Sequence, residues 1–578
     1  GDLCSGLVKS IGEKRDIPMI LQSISQQDDY EGDFATRRAL IYTLQFTAKT
    51  FMFGHIAKTP EGLIRKVQLD YYSDSNTRTA KRVQRYTVVP KAKKDYNEDT
   101  VIDQYDDPLI PPGDDFGFTE ESYALIETLS THIRSYFGRF YLILGLACVL
   151  VLVVVASSPL GKYKLGTPAE KPAFNRLSWI AMLYSAGMGA GILLRAVQEP
   201  VFMQQNPPIL TQISAEIQAL EFTFYQWGFT AWAFYAVFAL AIGTVAFKYG
   251  RPAYTSSTVF SHSKTLTHKI GIKSIDILVI LTTVFGLIAA IALGARQIKG
   301  GLDYLDNATL SKSFTLIIII LVGVLSLISA LSGMHNGIKK LSRANIFMSF
   351  ALLLFVFVQS DVLLILEQFV IALYHYVVDF IPLSLAYGSF NPGEQFLTDW
   401  TYYYWAFWIA WAPFTGIFIA NISRGRTLRE IIIAVLLIPS LGSFFWFTVF
   451  GQAAFDLIQQ WGTYTNEFDN VFSSLFLFLS NYPAQFIINT LVILLLLSFL
   501  VTSLDSAILV LSLHSARRKK PSKRNRILWG LILTITAIAF TVLSFNKEEI
   551  DVLNTMQKLL IVTSLPLSFF MVWMLISW

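Results

Sequence analysis

The chain has 578 residues, of which 53% are hydrophobic and 14% aromatic, while only 15% are charged. Soluble domains carry about 25% charged residues, so this composition excludes an ordinary soluble globular protein and fits a chain that crosses a membrane repeatedly. A net charge of +5 over this length does not argue for nucleic-acid binding, and the two cysteines, Cys4 and Cys148, form no disulfide framework.

Taken in chain order, the first residue is glycine with no signal peptide behind it, and the last stretch, SFFMVWMLISW, stops inside an apolar run; both ends read as cut. Residues 1–119 are polar and read as a small soluble α+β segment. RRALIYTLQFTAKTFMF (37–53) and GLIRKVQLDYYSD (62–74) partly alternate polar and apolar residues, which predicts half-buried strands. Residues 97–120 are acidic and carry a Pro-Pro-Gly breaker, as in a loop or tail. The arginine pair before the first of these strands, then MFG, then GLIRK leading into the second, resembles the C-terminal part of the tail sheath stabiliser, or completion protein, of T4-like contractile-tailed phages. The resemblance implies a ring-forming virion component with no catalytic residues.

From about residue 121 the chain changes character. Eleven candidate spans follow, at roughly 138–157, 177–198, 222–247, 275–297, 314–333, 345–365, 401–421, 429–451, 485–511, 527–545 and 556–576. Between the sixth and seventh, LLILEQFVIALYHYVVDFI suits an amphipathic helix lying in the interface. Five loops rich in Lys and Arg (162–176, 248–273, 335–343, 423–430 and 516–526) alternate with loops poor in them. The excess of basic residues makes their side cytoplasmic. The C-terminus is then inside and the N-terminal segment outside.

Three features stand out within the spans. Gly187, Gly189 and Gly191 interrupt the second span, just before Arg195 and Glu199. Glycine there permits either close helix packing or an unwound backbone that a ligand can approach. Trp227, Trp232 and Tyr235 lie on one span, and Trp408 and Trp411 are three residues apart on another. Such aromatics suit either an interfacial belt or a cation–π cage for a quaternary ammonium, which has no N–H to donate. Arg195 is an intramembrane charge that must find a partner. Glu199, one turn on, is one candidate; an anionic group on a substrate is the other. No nucleotide loop, metal-ligand cluster or nucleophile–base pair is present, so the chain reads as a non-enzyme without a cofactor.

DWTYYYWAFWIAWAPFTGIFIANISRGRTLRE (399–430), supported in order by SAGMGAGILLRAVQEP, YQWGFTAWAFYAVFALAIGTVAFKYGRP, TTVFGLIAAIALGARQI and FLVTSLDSAILVL, resembles the betaine/carnitine/choline transporter family over about residues 125–578. The resemblance implies an all-α, polytopic, LeuT-like 5+5 inverted-repeat core and secondary transport of a small quaternary-ammonium or zwitterionic solute across the plasma membrane. Its implied parts are a first remaining helix with its loop (120–176), a first five-helix repeat (177–365), an interfacial helix (366–398) and a second repeat (399–578). The family has twelve spans; the one missing here is the first, and the phage-like segment stands in its place, as in a misjoined reading frame or a fusion.

The resemblance assigns the glycine stretch to a broken helix at the bilayer midplane. It assigns Trp227, Trp232, Tyr235, Trp408 and Trp411 to aromatic sites, with Phe407 departing from the usual Trp-Trp pair. Phe499, Thr502 and Ser503, with the backbone near Ser185 and Met188, match one sodium site. Thr283 and Phe414 match part of a second, but Leu287 replaces its other threonine. Arg296 stands either as a substitute for an ion, as in sodium-independent exchangers, or as a snorkelling arginine. Two-sodium symport is thereby disfavoured; one-sodium coupling and sodium-independent exchange stay open. Members are often trimers, and lipid and the solute are the expected partners.

Overall fold

The computed structural model describes residues 58–59, 62–73, 80–90, 120–258, 266–306, 310–332, 338–516, 522–546 and 552–577. The chain divides into two compact units, Gly1–Gly117 and Phe118–Trp578. In the first, β1 (Lys58–Thr59), β2 (Gly62–Ser73) and β3 (Ala80–Pro90) form an antiparallel sheet in the order β1-β2-β3. β2 falls where the alternation predicts a strand, with a register shift between Ile64 and Lys66. β3 is not among the predicted strands, although its RYTVV run carries the β-branched and aromatic residues that favour one. The expected strand at 37–53, the acidic stretch before residue 120 and Cys4 lie outside the described residues.

The second unit is helical. α1 (Glu120–Ser157) is followed by α2 (Arg176–Met188), α3 (Gly191–Arg195), α4 (Gln198–Gln205), α5 (Ala215–Trp227) and α6 (Phe229–Gly243). Then come α7 (Leu266–Asp306), α8 (Phe314–Ser332), α9 (Ile338–Gln359), α10 (Val362–Val378) and α11 (Phe380–Leu385). The chain continues with α12 (Tyr402–Ile422), α13 (Leu428–Trp461), α14 (Ser474–Leu479), α15 (Gln485–Ala516), α16 (Lys523–Asn546) and α17 (Val552–Ser577).

Among the described residues, ten helices are long and apolar enough to cross a membrane. The eleventh predicted span, 177–198, differs because its glycines divide it into α2, α3 and α4, none of which spans alone. Helix starts follow local chemistry. Asn175 accepts from Ser178 N at 2.9 Å to open α2, and Asp361 accepts from Leu364 N at 3.0 Å to open α10. Thr427 accepts from Glu430 N at 3.1 Å to open α13, in a T-x-x-E sequence. The amphipathic stretch expected between the sixth and seventh spans is α10 with α11.

The packing is pseudo-symmetric. α7 packs on α15; the α7–α17 contact is mirrored by α15–α9, and α8 meets α16. Each of these helices therefore has a counterpart five spans later. An odd number of spans per repeat turns the second repeat upside down, which makes the core an inverted repeat. α6 packs along α12, and the aromatic stretches of both lie in the interior.

At one end of the bundle, two predicted basic loops dock on each other. Leu165 N donates to Arg426 O at 2.8 Å, Gly425 N to Leu165 O at 2.8 Å, and Leu428 N to Tyr163 O at 2.8 Å. Arg426 stacks on Trp179 at 3.9 Å and donates to Phe174 O at 2.8 Å and Glu430 Oε1 at 2.5 Å. Burial is the chief influence on the Arg426 guanidinium and lowers its pKa, with Glu430 acting in the opposite sense. SRGRTLRE is therefore a built structural joint as well as a topology signal.

Candidate functional site

α2 stops at Met188 because Gly189 adopts φ +52° and ψ −152°, a region reserved almost entirely for glycine. The helix restarts at Gly191. A Cβ on Gly189 would stand 3.5 Å from Ser503 Oγ of α15, and one on Gly191 would stand 3.4 Å from Trp227 Cη2. The break thus faces a hydroxyl on one side and an indole on the other. Gly187, Ser185 and Met188 belong to the last turn of α2; the side chains of Ser185 and Met188 lie outside the described residues.

Trp227 ends α5, and the chain turns at Gly228 before α6. Phe229 N, freed by that turn, donates to Tyr376 OH of α10 at 2.9 Å. Trp227 meets Trp408 at 5.3 Å between ring centroids with an interplanar angle of 68°, and Phe447 at 5.3 Å. Tyr235 meets Trp408 at 6.2 Å and Trp232 at 5.4 Å, both edge to face. Trp408 Nε1 is fixed by Gln226 O at 2.9 Å. The structure therefore brings Trp227, Trp232, Tyr235 and Trp408 into one cluster. Trp411 joins it only through Phe407, at 6.0 Å, and its buried Nε1 has no hydrogen-bond partner.

Glu199 is fully buried on α4. Trp227 Nε1 donates to its Oε1 at 3.1 Å, and Tyr404 OH donates to its Oε2. Arg195 Nη1 donates instead to Gln198 Oε1 at 2.6 Å, and its guanidinium stands 5.9 Å from the Trp400 ring. The expected one-turn partnership of Arg195 with Glu199 is thus not a direct bond: neutral donors occupy Glu199, and Gln198 holds the arginine. Tyr404, Gln198 and Trp400 are not among the residues that the sequence singles out. The signal for Tyr404 was available, since Tyr404, Trp408 and Trp411 recur at helical spacing on α12.

Thr502 Oγ1 donates to Phe499 O at 2.9 Å and accepts from Asn345 Nδ2 of α9 at 3.2 Å. Asn345 Oδ1 in turn accepts from Ser498. Asn345, absent from the sequence reading, ties the Thr502 turn to α9 close to the helix break. On α7, Thr283 Oγ1 donates to Val279 O at 2.7 Å, and Leu287 is buried. A Cβ on Gly286 would stand 3.1 Å from Trp411 Nε1, and Trp411 packs on Phe414 at 5.7 Å, so this turn faces α12. Arg296 lies nine residues beyond Leu287, roughly 13 Å of helix rise, and donates to Ser544 of α16 at 2.8 Å.

A family model described as the betaine/carnitine/choline family transporter matches residues 116–578. The chain belongs to this family. Among its transporters, the glycine betaine transporter OpuD of Bacillus subtilis is 36% identical over 459 residues, 78% of this chain and 88% of that protein. A probable glycine betaine transporter of Desulfitobacterium hafniense is 32% identical over 422 residues, 72% of this chain and 84% of its own. The high-affinity choline transport protein of Escherichia coli is 31% identical over 441 residues, 75% of this chain and 64% of its own. Residues 6–120 match a second model, the T4-like virus tail sheath stabiliser. Both sequence resemblances are thereby borne out.

Proposed function

We propose that this family member carries a small quaternary-ammonium or related zwitterionic solute of the betaine class by alternating access, with the solute held between the Gly189 break and the Trp227–Trp408 pair. The observation that carries the reading is Trp227 itself. Its ring lies against Gly191, its nitrogen is fixed by Glu199, and Trp408 stands 5.3 Å away. A trimethylammonium group offers no N–H to a polar site. It gains about 2 kcal/mol or more from a desolvated aromatic face.

Trp232 and Tyr235 complete the cage in this reading, and Arg195 receives the carboxylate of a zwitterion. Phe499, Thr502 and Ser503, with the backbone of Ser185 and Met188, are assigned to one sodium ion. Leu287, beside Thr283 and Phe414, leaves a second ion short of an oxygen ligand. The Ser544 contact of Arg296 favours a structural role for that residue over a stand-in for an ion. The repeats 177–365 and 399–578 are the parts that rock, the C-terminus is cytoplasmic in the plasma membrane, and the assembly is a trimer.

Uptake of radiolabelled glycine betaine, choline and carnitine by the full chain in liposomes, with and without sodium, tests the reading. Saturable uptake of at least one solute is expected. Its absence for all three overturns the proposal.

A further inference from the structure

Glu221 is a buried charge-bearing group that the solute site does not use. It lies on α5, six residues before Trp227, and is 1% exposed. Its Oε1 has no hydrogen-bond partner, while Tyr225, one turn on along the same face and 2% exposed, has Ser384 beside its OH. The nearby charge that bears on Glu221 is a second carboxylate, Asp379, where α10 passes into α11.

Other titratable groups stand on the elements packed against α5, among them Tyr402 of α12 and, in the turns before it that meet Phe222 and Gln226, Glu394 and Asp399. On α4, Glu199 is held by Trp227 and Tyr404. On α13, Asp456 accepts from Gln452 at 2.9 Å, and Arg429 and Glu430 lie in the first turn at the far end. On α10, Glu367 is exposed, and His375 Nδ1 stands 3.4 Å from Asp379 Oδ2. No basic side chain faces Glu221 among the described residues.

An ionised carboxylate in an apolar interior must be paired or bind a cation. Ionisable groups within a membrane span are functional candidates by default. The described residues contain no group of three or more His, Cys, Asp and Glu that could hold a metal ion. A proton needs no cavity and no coordination shell.

We propose that Glu221 is a proton-binding site, reached from the part-exposed His375–Asp379 pair, whose occupancy is coupled to solute transport through α5. The coupling is geometric. Glu221 and Trp227 ride on one rigid helix that ends at Gly228, so displacing the Trp227 ring moves the Glu221 carboxyl relative to Asp379. The site is separate from Thr502 and Ser503, and the inference rests on the transport reading above.

The test uses the full chain in proteoliposomes with equal sodium on both sides. With glycine betaine as probe, counterflow without any gradient reports the transport reading alone; if the wild type shows none, that reading fails and this inference falls with it. Given counterflow, an inward gradient of about one pH unit is expected to drive roughly tenfold accumulation if one proton is coupled. Glu221→Gln, which keeps the shape, is expected to retain counterflow and lose that accumulation. Asp379→Asn should shift the pH dependence without abolishing it. Undiminished gradient-driven accumulation in Glu221→Gln, or a wild type indifferent to the gradient, overturns the proposal. Should Glu221→Gln lack counterflow, proton exchange per glycine betaine bound, in weak buffer, decides: a proton change present in the wild type and absent in Glu221→Gln supports the site, and no change in the wild type, or the same change in both, overturns it.

Discussion

The spans that open the two halves of the core solve different problems. The first is broken: α2 ends at Met188, Gly189 takes a backbone angle closed to other residues, and α3 restarts at Gly191. Its counterpart, α12, runs unbroken from Tyr402 to Ile422 and carries Tyr404, Trp408 and Trp411 on one side. One span supplies open backbone and room; the other supplies rings. Trp227, at the end of α5, joins them, touching the Gly191 side of the break and the Trp408 ring of α12. An inverted repeat therefore does not require its halves to be chemically alike. The pseudo-symmetry lies in the packing of α7 with α15 and α8 with α16, while the site is built from the parts that differ.

The sharpest way to break this contrast is Gly189→Val. A β-branched residue there costs about 1–3 kcal/mol of backbone strain and adds a side chain beside Ser503. Uptake should fall by about two orders of magnitude, with a lowered melting temperature in detergent. Trp227→Leu comes next. It removes the ring that both spans share and leaves one Glu199 oxygen without its donor, so KM should rise roughly thirtyfold, the equivalent of about 2 kcal/mol. Arg195→Ala should weaken glycine betaine by roughly tenfold while leaving choline within about twofold, since only the former has an anion to lose; equal losses for both would remove the clamp role. The smallest effect is expected for Phe407→Trp. It enlarges the ring beside Trp408, packed there at 5.2 Å, and should tighten binding by no more than about threefold.

Much of this fold was legible because membrane spans announce themselves. Ten spans are visible as uninterrupted apolar runs, and the eleventh was marked by the glycines that divide it. The inward face of α12 was legible for the same reason as any helix face: Trp408 and Trp411 recur at its period. What the pattern concealed were partnerships between segments. Nothing in LLRAVQEP says that Gln198 rather than Glu199 holds Arg195, because both lie within one turn and the choice depends on Tyr404 and Trp227, far away in the chain. Asn345 is similar: an amide in an apolar helix acquires meaning only when Thr502 and Ser498 arrive from α15. The sequence of the docked loop around Arg426 shows only charge, because its contacts with Trp179 and Phe174 are tertiary.

The central claim is that a positive head group sits against Trp227 and Trp408. Equilibrium binding to the purified chain of glycine betaine and of its uncharged-head isostere 3,3-dimethylbutanoate tests it most directly, because the two differ in the quaternary nitrogen and little else. The account predicts that the isostere binds at least about tenfold more weakly and that Trp227→Leu narrows this gap. Equal affinity for the two in the wild type would contradict it.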